Sequence, residues 1–124
     1  ALVQAGVMPD ASYIWWAVRP SLEHPTLELR APDVCTSVDD AIAIAALYRA
    51  VTRRLTLNPA QNADMNAIAR AIVIENKWRA QRYGVRGSFA RLERDGPITV
   101  AEMLEHVIAE VTPDAGPAPA RMPG

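Results

Sequence analysis

Residues 13–31 read Tyr13-Ile14-Trp15-Trp16-Ala17-Val18-Arg19-Pro20-Ser21-Leu22-Glu23-His24-Pro25-Thr26-Leu27-Glu28-Leu29-Arg30-Ala31, and the fold turns on this stretch. Residues 13–19 are rich in aromatic and β-branched side chains, the composition of a strand, and Pro20 stops it. Residues 26–31 form a second predicted strand, stopped by Pro32. Between them lies a loop with proline at both ends, so the expected pairing is antiparallel. Alternate residues of a strand share a face. Thr26, Glu28 and Arg30 therefore point one way, and Trp15, Ala17 and Arg19 share a face of the other strand. If those faces align, one surface carries two arginines and a carboxylate beside a tryptophan.

Such a surface has two readings. A sheet glutamate is a hard oxygen ligand of the kind Mg²⁺ takes, and Mg²⁺ is usually held by few carboxylates plus phosphate oxygens. Arginine complements it, because its planar fork binds carboxylate or phosphate bidentately. Together these groups suit a phosphoryl-transfer or acyl-phosphate site, where the protein mainly positions groups and neutralises charge. The alternative is a cross-strand salt bridge on a solvated sheet face. The chain has no glycine-rich phosphate loop, so ATP use would not rest on one.

Working outward, the pattern predicts an α+β fold: a short antiparallel sheet covered by two long helices, over 37–57 and 63–83, with a third over 99–111. Ser37 is the expected N-cap of the first, with Asp39 and Asp40 in its first turn. Its run from Ala41 to Leu47 is apolar on every side, which predicts burial against the sheet. Asn58-Pro59 ends it. In the second helix Met65, Ile68, Ala69, Ile72 and Val73 recur at helical spacing, and Gly84 is the natural stop. Ile72, Asn76, Arg79 and Tyr83 share a face of that helix, either returning polar groups to the site or giving local support through a Glu75–Arg79 pair. Trp78 is expected to anchor the core. A short strand over 88–92 and a turn at Asp95-Gly96 precede the third helix, whose Thr99 and Glu102 form a capping box. Its apolar stripe is Val100, Met103, Leu104, Val107, Ile108 and Val111. From Thr112 onward, proline, alanine and glycine without apolar period predict a disordered tail over 112–124.

Composition narrows the function. The 124 residues amount to one domain, and 13 basic against 14 acidic residues leave a net charge of −1. That balance argues against nucleic acid or an anionic membrane as partner. No apolar run is long enough for a membrane span. Twelve of the 13 basic residues are arginine, Lys77 being the exception. Cys35 has no partner for an internal disulfide, which suits a reducing cytoplasm. It has no evident His partner set for catalysis, and His24 and His106 lack metal-ligand spacing. The chain begins at Ala1, which reads as a processed chain or a piece of a longer one.

Several motifs in order carry a resemblance. The segments Ile14-Trp15-Trp16-Ala17-Val18-Arg19-Pro20-Ser21, Pro25-Thr26-Leu27-Glu28-Leu29-Arg30 and Asp33-Val34-Cys35-Thr36 resemble the bacterial carboxylate-amine ligases. These are the type-2 glutamate–cysteine ligases of the glutamine-synthetase-like superfamily. Residues 39–50 and 75–84 resemble two further family stretches, so the likeness runs from about 13 to 111. It implies that residues 1–111 are a C-terminal portion of a catalytic domain. The implied activity is ATP- and Mg²⁺-dependent joining of a glutamate-like carboxylate to a cysteine-like amine through an acyl phosphate. By resemblance Glu28 matches the metal-holding glutamate. Arg30 matches the arginine that binds the substrate carboxylate or a phosphate, and Arg19 the arginine near the nucleotide phosphates. The family often has an acidic residue where this chain has Ala17. Family members are longer, so the resemblance implies that this chain supplies part of a site. Its partners would be amino-acid substrates and either the remaining N-terminal part of the enzyme or further copies of itself. A non-catalytic fragment or subunit that works by association is the alternative.

Overall fold

A computed structural model of the chain describes residues 2–13, 15–63, 65–92 and 96–116. The fold is α+β, and among the described residues it has two antiparallel two-stranded sheets and three α-helices. The chain divides into two compact units, Ala1–Ile44 and Ala45–Gly124.

In the first unit, strands β1 (Val18–Pro20) and β2 (Leu27–Leu29) pair antiparallel, with Val18 opposite Leu29, Arg19 opposite Glu28 and Pro20 opposite Leu27. Both strands are shorter than the sequence predicts. Residues 11–13 form a 3₁₀ turn instead of the strand start, and Ile14 lies outside the described residues. Two backbone bonds carry the ladder past the strand ends. The Arg30 amide donates to the Ala17 carbonyl at 2.7 Å, and the Ser21 amide donates to the Thr26 carbonyl at 2.9 Å. Within the loop the Ser21 hydroxyl accepts the amides of Glu23 and His24, which closes the turn with a side chain in place of the missing ladder.

Helix α1 spans Val38–Leu57. The Ser37 hydroxyl accepts the Asp40 amide at 3.3 Å, the expected cap. At the other end Asn58 donates its side-chain amide and its backbone N–H to the Arg54 carbonyl, satisfying one of the orphan acceptors of the last turn. The apolar run is not buried as expected. Residues 41–46 are exposed and Leu47 is half-buried, while Ala50 further along is buried. The described residues supply no layer that covers that run.

In the second unit, α2 (Ala67–Tyr83) starts four residues later than predicted. Asn66 is its cap, its side-chain oxygen accepting the Ala69 amide at 2.9 Å. The half-buried face of α2 is Ala69, Ile72, Asn76 and Arg79, so Ile68 and Val73 of the predicted stripe face outward. Gly84 ends the helix at φ 56°, a left-handed conformation that suits glycine, and a 3₁₀ turn over Gly84–Arg86 follows. The predicted strand over 88–92 is reduced to β3 (Ser88–Phe89), which pairs with β4 (Ile98–Thr99), a strand the pattern did not reveal. Asp95 of the expected turn lies outside the described residues; Gly96 has φ 85°. Helix α3 (Val100–Val111) opens with the predicted capping box in full. Both α2 and α3 pack against the β3–β4 pair.

The inward residues of α3 are Val100, Met103, Val107 and Val111, and among the described residues the buried apolar set is Ala50, Ile98 and Val111. The expected tail begins at Thr112. Thr112–Asp114 form a 3₁₀ turn held from α1, with Arg54 donating to the Asp114 carboxylate at 2.9 Å and Arg49 donating to the Ala115 carbonyl at 3.3 Å. Residues 117–124 lie outside the described residues.

Candidate functional site

The register of the first hairpin sets Arg19 directly across from Glu28, so the two side chains leave the same face. Arg19 Nε donates to Glu28 Oε2 at 2.6 Å, and Arg30 donates through Nη1 to Glu28 Oε1 at 3.3 Å. The three residues singled out from the sequence therefore form one cluster, with the carboxylate bridging two guanidiniums. Each carboxylate oxygen accepts one of these bonds and keeps a lone pair in reserve. Arg19 has a further acceptor, the Ser12 carbonyl at 2.7 Å. Arg30 instead lies over the Trp15 ring, its guanidinium carbon 4.8 Å from the centroid.

Charge follows geometry. The Arg19 hydrogen bond, aided by the nearby charges of Arg19 and Arg30, holds the Glu28 carboxyl below its ordinary range, although partial desolvation opposes it. The cluster is thus two cations around one carboxylate, with a net positive charge. Beside it lies a cleft of about 200 Å³ bordered by Ser12, Arg19, Ser21, Glu23 and Glu28. Arg19 and Glu28 line this cleft; Arg30 does not, and its guanidinium lies over the Trp15 indole.

Sequence reasoning missed two contributors. Ser12 acts through its backbone carbonyl, which no side-chain pattern signals. Glu23 sits in the turn and reaches the cleft border because Ser21 folds that turn back. Asn76 and Arg79 are structural. Asn76 donates to the Ala90 carbonyl at 2.9 Å and accepts the Ala90 amide at 2.8 Å. Arg79 donates to the Ser88 carbonyl and hydroxyl at 2.5 and 2.9 Å, and pairs with Glu75 at 3.6 Å. These side chains fasten α2 to β3. Trp78, expected in the core, is half exposed and meets Tyr83 edge-on at 5.7 Å. Among the described residues no three His, Cys, Asp or Glu side chains gather as a metal-binding group. No described helix is long and apolar enough to cross a membrane.

The family model for glutamate–cysteine ligase family 2 matches residues 1–119. The chain belongs to glutamate–cysteine ligase family 2. Relatives of this family named "Putative glutamate--cysteine ligase 2" include one from Bradyrhizobium sp. (strain ORS 278), 59% identical over 115 residues, and one from Rhodospirillum rubrum, 42% identical over 114 residues. A third, from Ectopseudomonas mendocina, is 37% identical over 110 residues. The matches cover 93%, 92% and 89% of this chain but 28%, 29% and 29% of those relatives. No solved structure matches the chain. The family-2 match takes in the whole Arg19–Glu28–Arg30 cluster.

Proposed function

We propose that this chain supplies part of the active site of an ATP-dependent ligase. Its reaction would join a glutamate-like carboxylate to a cysteine-like amine through an acyl phosphate. The observation that carries this reading is the bridged cluster Arg19–Glu28–Arg30 beside an open cleft, in a chain of glutamate–cysteine ligase family 2. The names of the relatives support glutamate–cysteine ligation.

Arg19 is the residue to hold nucleotide phosphate, since it lines the cleft and is fixed from two sides. Arg30 is the residue to hold the substrate carboxylate or a phosphate. Glu28 stays ionised between them and fits Mg²⁺ as one ligand, with phosphate oxygens and water completing the shell. Mg²⁺ and ATP would supply the activating phosphoryl group and the neutralisation of its charge. One carboxylate is a partial holder, which agrees with a chain that spans about 28% of the length of the relatives it matches.

The decisive test places the 115 matched residues of this chain into the Bradyrhizobium relative in exchange for its own segment. In that chimera Glu28→Gln is expected to lower Mg²⁺-dependent ligation about 100-fold or more. Folding should be little changed, because exposed ion pairs contribute little to stability. Retained activity would remove Glu28 from the metal.

A second reading, a non-catalytic chain acting by association, draws on the exposure of residues 41–46 and of Ile68, Val73 and Ile74. Self-association of the isolated chain in sedimentation, with no effect of the chain's own substitutions on ligation by the chimera, would favour it.

A further inference from the structure

The two arginines of the cluster are held in different ways. Arg19 is held by several contacts, Glu28 Oε2 and the Ser12 carbonyl among its acceptors. Among the described residues the Arg30 guanidinium donates one hydrogen bond, to Glu28 Oε1, and that bond is long at 3.3 Å. One long bond leaves a guanidinium able to rotate about its own axis. The other group against it is the Trp15 ring, whose centroid lies 4.8 Å from the guanidinium carbon. Stacking and hydrogen bonding have opposite consequences for an anion-binding arginine. A second acceptor would consume N–H donors, but a ring face consumes none, because the donors lie in the plane of the fork. The indole is 79% exposed, so little else in the described structure accounts for its placement.

We infer that Trp15 is a positioning residue that sets the plane of Arg30 while leaving its donor edge available to an anion. The inference rests on the proposed role of Arg30 in binding substrate carboxylate or phosphate. The backbone supports the arrangement: the Arg30 amide donates to the Ala17 carbonyl at 2.7 Å, which ties Arg30 to the segment that carries Trp15. The ring face acts through Arg30 and needs no contact with substrate.

The test uses the Bradyrhizobium chimera, with glutamate and ATP varied separately. Trp15→Leu is expected to raise KM about two- to five-fold for one of them, the size of an exposed cation–π contact. That substrate is the one Arg30 holds: glutamate if it binds the carboxylate, ATP if it binds phosphate. Trp15→Phe keeps a ring face and should recover most of the loss. Arg30→Lys keeps the charge without the fork and should raise the same KM more strongly. If Arg30→Lys is impaired but Trp15→Leu matches the parent, the positioning role is overturned and the role of Arg30 stands. If Arg30→Lys matches the parent, the proposed role of Arg30 falls and this inference with it. A second measurement needs no activity. In the 124-residue chain, the Arg30 side-chain NMR resonances should lie upfield under the indole and move downfield in Trp15→Leu. Resonances that do not move would overturn the stacking.

Discussion

Glu28 takes its closer hydrogen bond from Arg19, at 2.6 Å, and its longer one from Arg30, at 3.3 Å. That inequality fixes a pH dependence. The carboxyl is held below its ordinary value of 4.5, first by the Arg19 hydrogen bond. A carboxylate stabilised in the folded state contributes fully above its unfolded pKa, and the contribution is lost as pH falls through the lower folded value. The cluster is therefore intact at neutral pH and opens only in acid. An NMR titration of the Glu28 side chain should give a midpoint below 4.5. Arg19→Ala should move it upward more than Arg30→Ala does. A midpoint at or above 4.5 in the parent chain, or the opposite order of the two variants, would contradict the geometry. At this scale the sequence was informative for a simple reason. Strand alternation has a period of two, so Trp15, Arg19, Glu28 and Arg30 could be set on one face from their numbers alone. The Ser12 carbonyl could not be foreseen, since a backbone acceptor has no identity in a sequence.

The contact between α2 and β3 depends on the polar side chains Asn76 and Arg79. Asn76 satisfies both the N–H and the C=O of Ala90, at a half-buried position just past the β3 strand. Asn76→Ala leaves both groups unpaired and should cost about 1–3 kcal/mol. Asn76→Asp retains the acceptor for the Ala90 amide but loses the donor. Amide exchange at Ala90 reads the difference: protection should fall in Asn76→Ala and persist in Asn76→Asp at neutral pH. Protection unchanged in Asn76→Ala would show that the clamp contributes nothing. The helix periodicity placed Ile72, Asn76 and Arg79 on one face but could not say which face turns inward. Apolar Ile68 and Val73 turned outward, and the polar face met the strand, because backbone groups at β3 needed partners. Strand β4 escaped notice because it is two residues long and its Thr99 doubles as a helix cap. The caps at Ser37 and Thr99 were legible because each rests on side-chain chemistry within four residues.

For the whole chain, the exposed apolar side chains and the single well-placed carboxylate point the same way. Residues 41–46 of α1 are apolar and uncovered, and Val73, Ile74, Leu104 and Ile108 are exposed on α2 and α3. Hydrophobicity told where a covering layer was needed, but not whether the same 124 residues provide it. The chain spans about 28% of the length of the relatives it matches. Ligation through an acyl phosphate requires metal, nucleotide and two substrates to be held together, and proximity of that kind is worth many orders of magnitude in rate. In the proposed site the described residues gather two arginines around Glu28, with Glu23 at the cleft border. The isolated chain is therefore expected to show no ATP- and glutamate-dependent phosphate release above background. Turnover should appear only when the same residues stand within the Bradyrhizobium chimera. Robust release by the 124 residues alone would mean that the cluster needs no carboxylates beyond its own, and the division of the site proposed here would have to be abandoned.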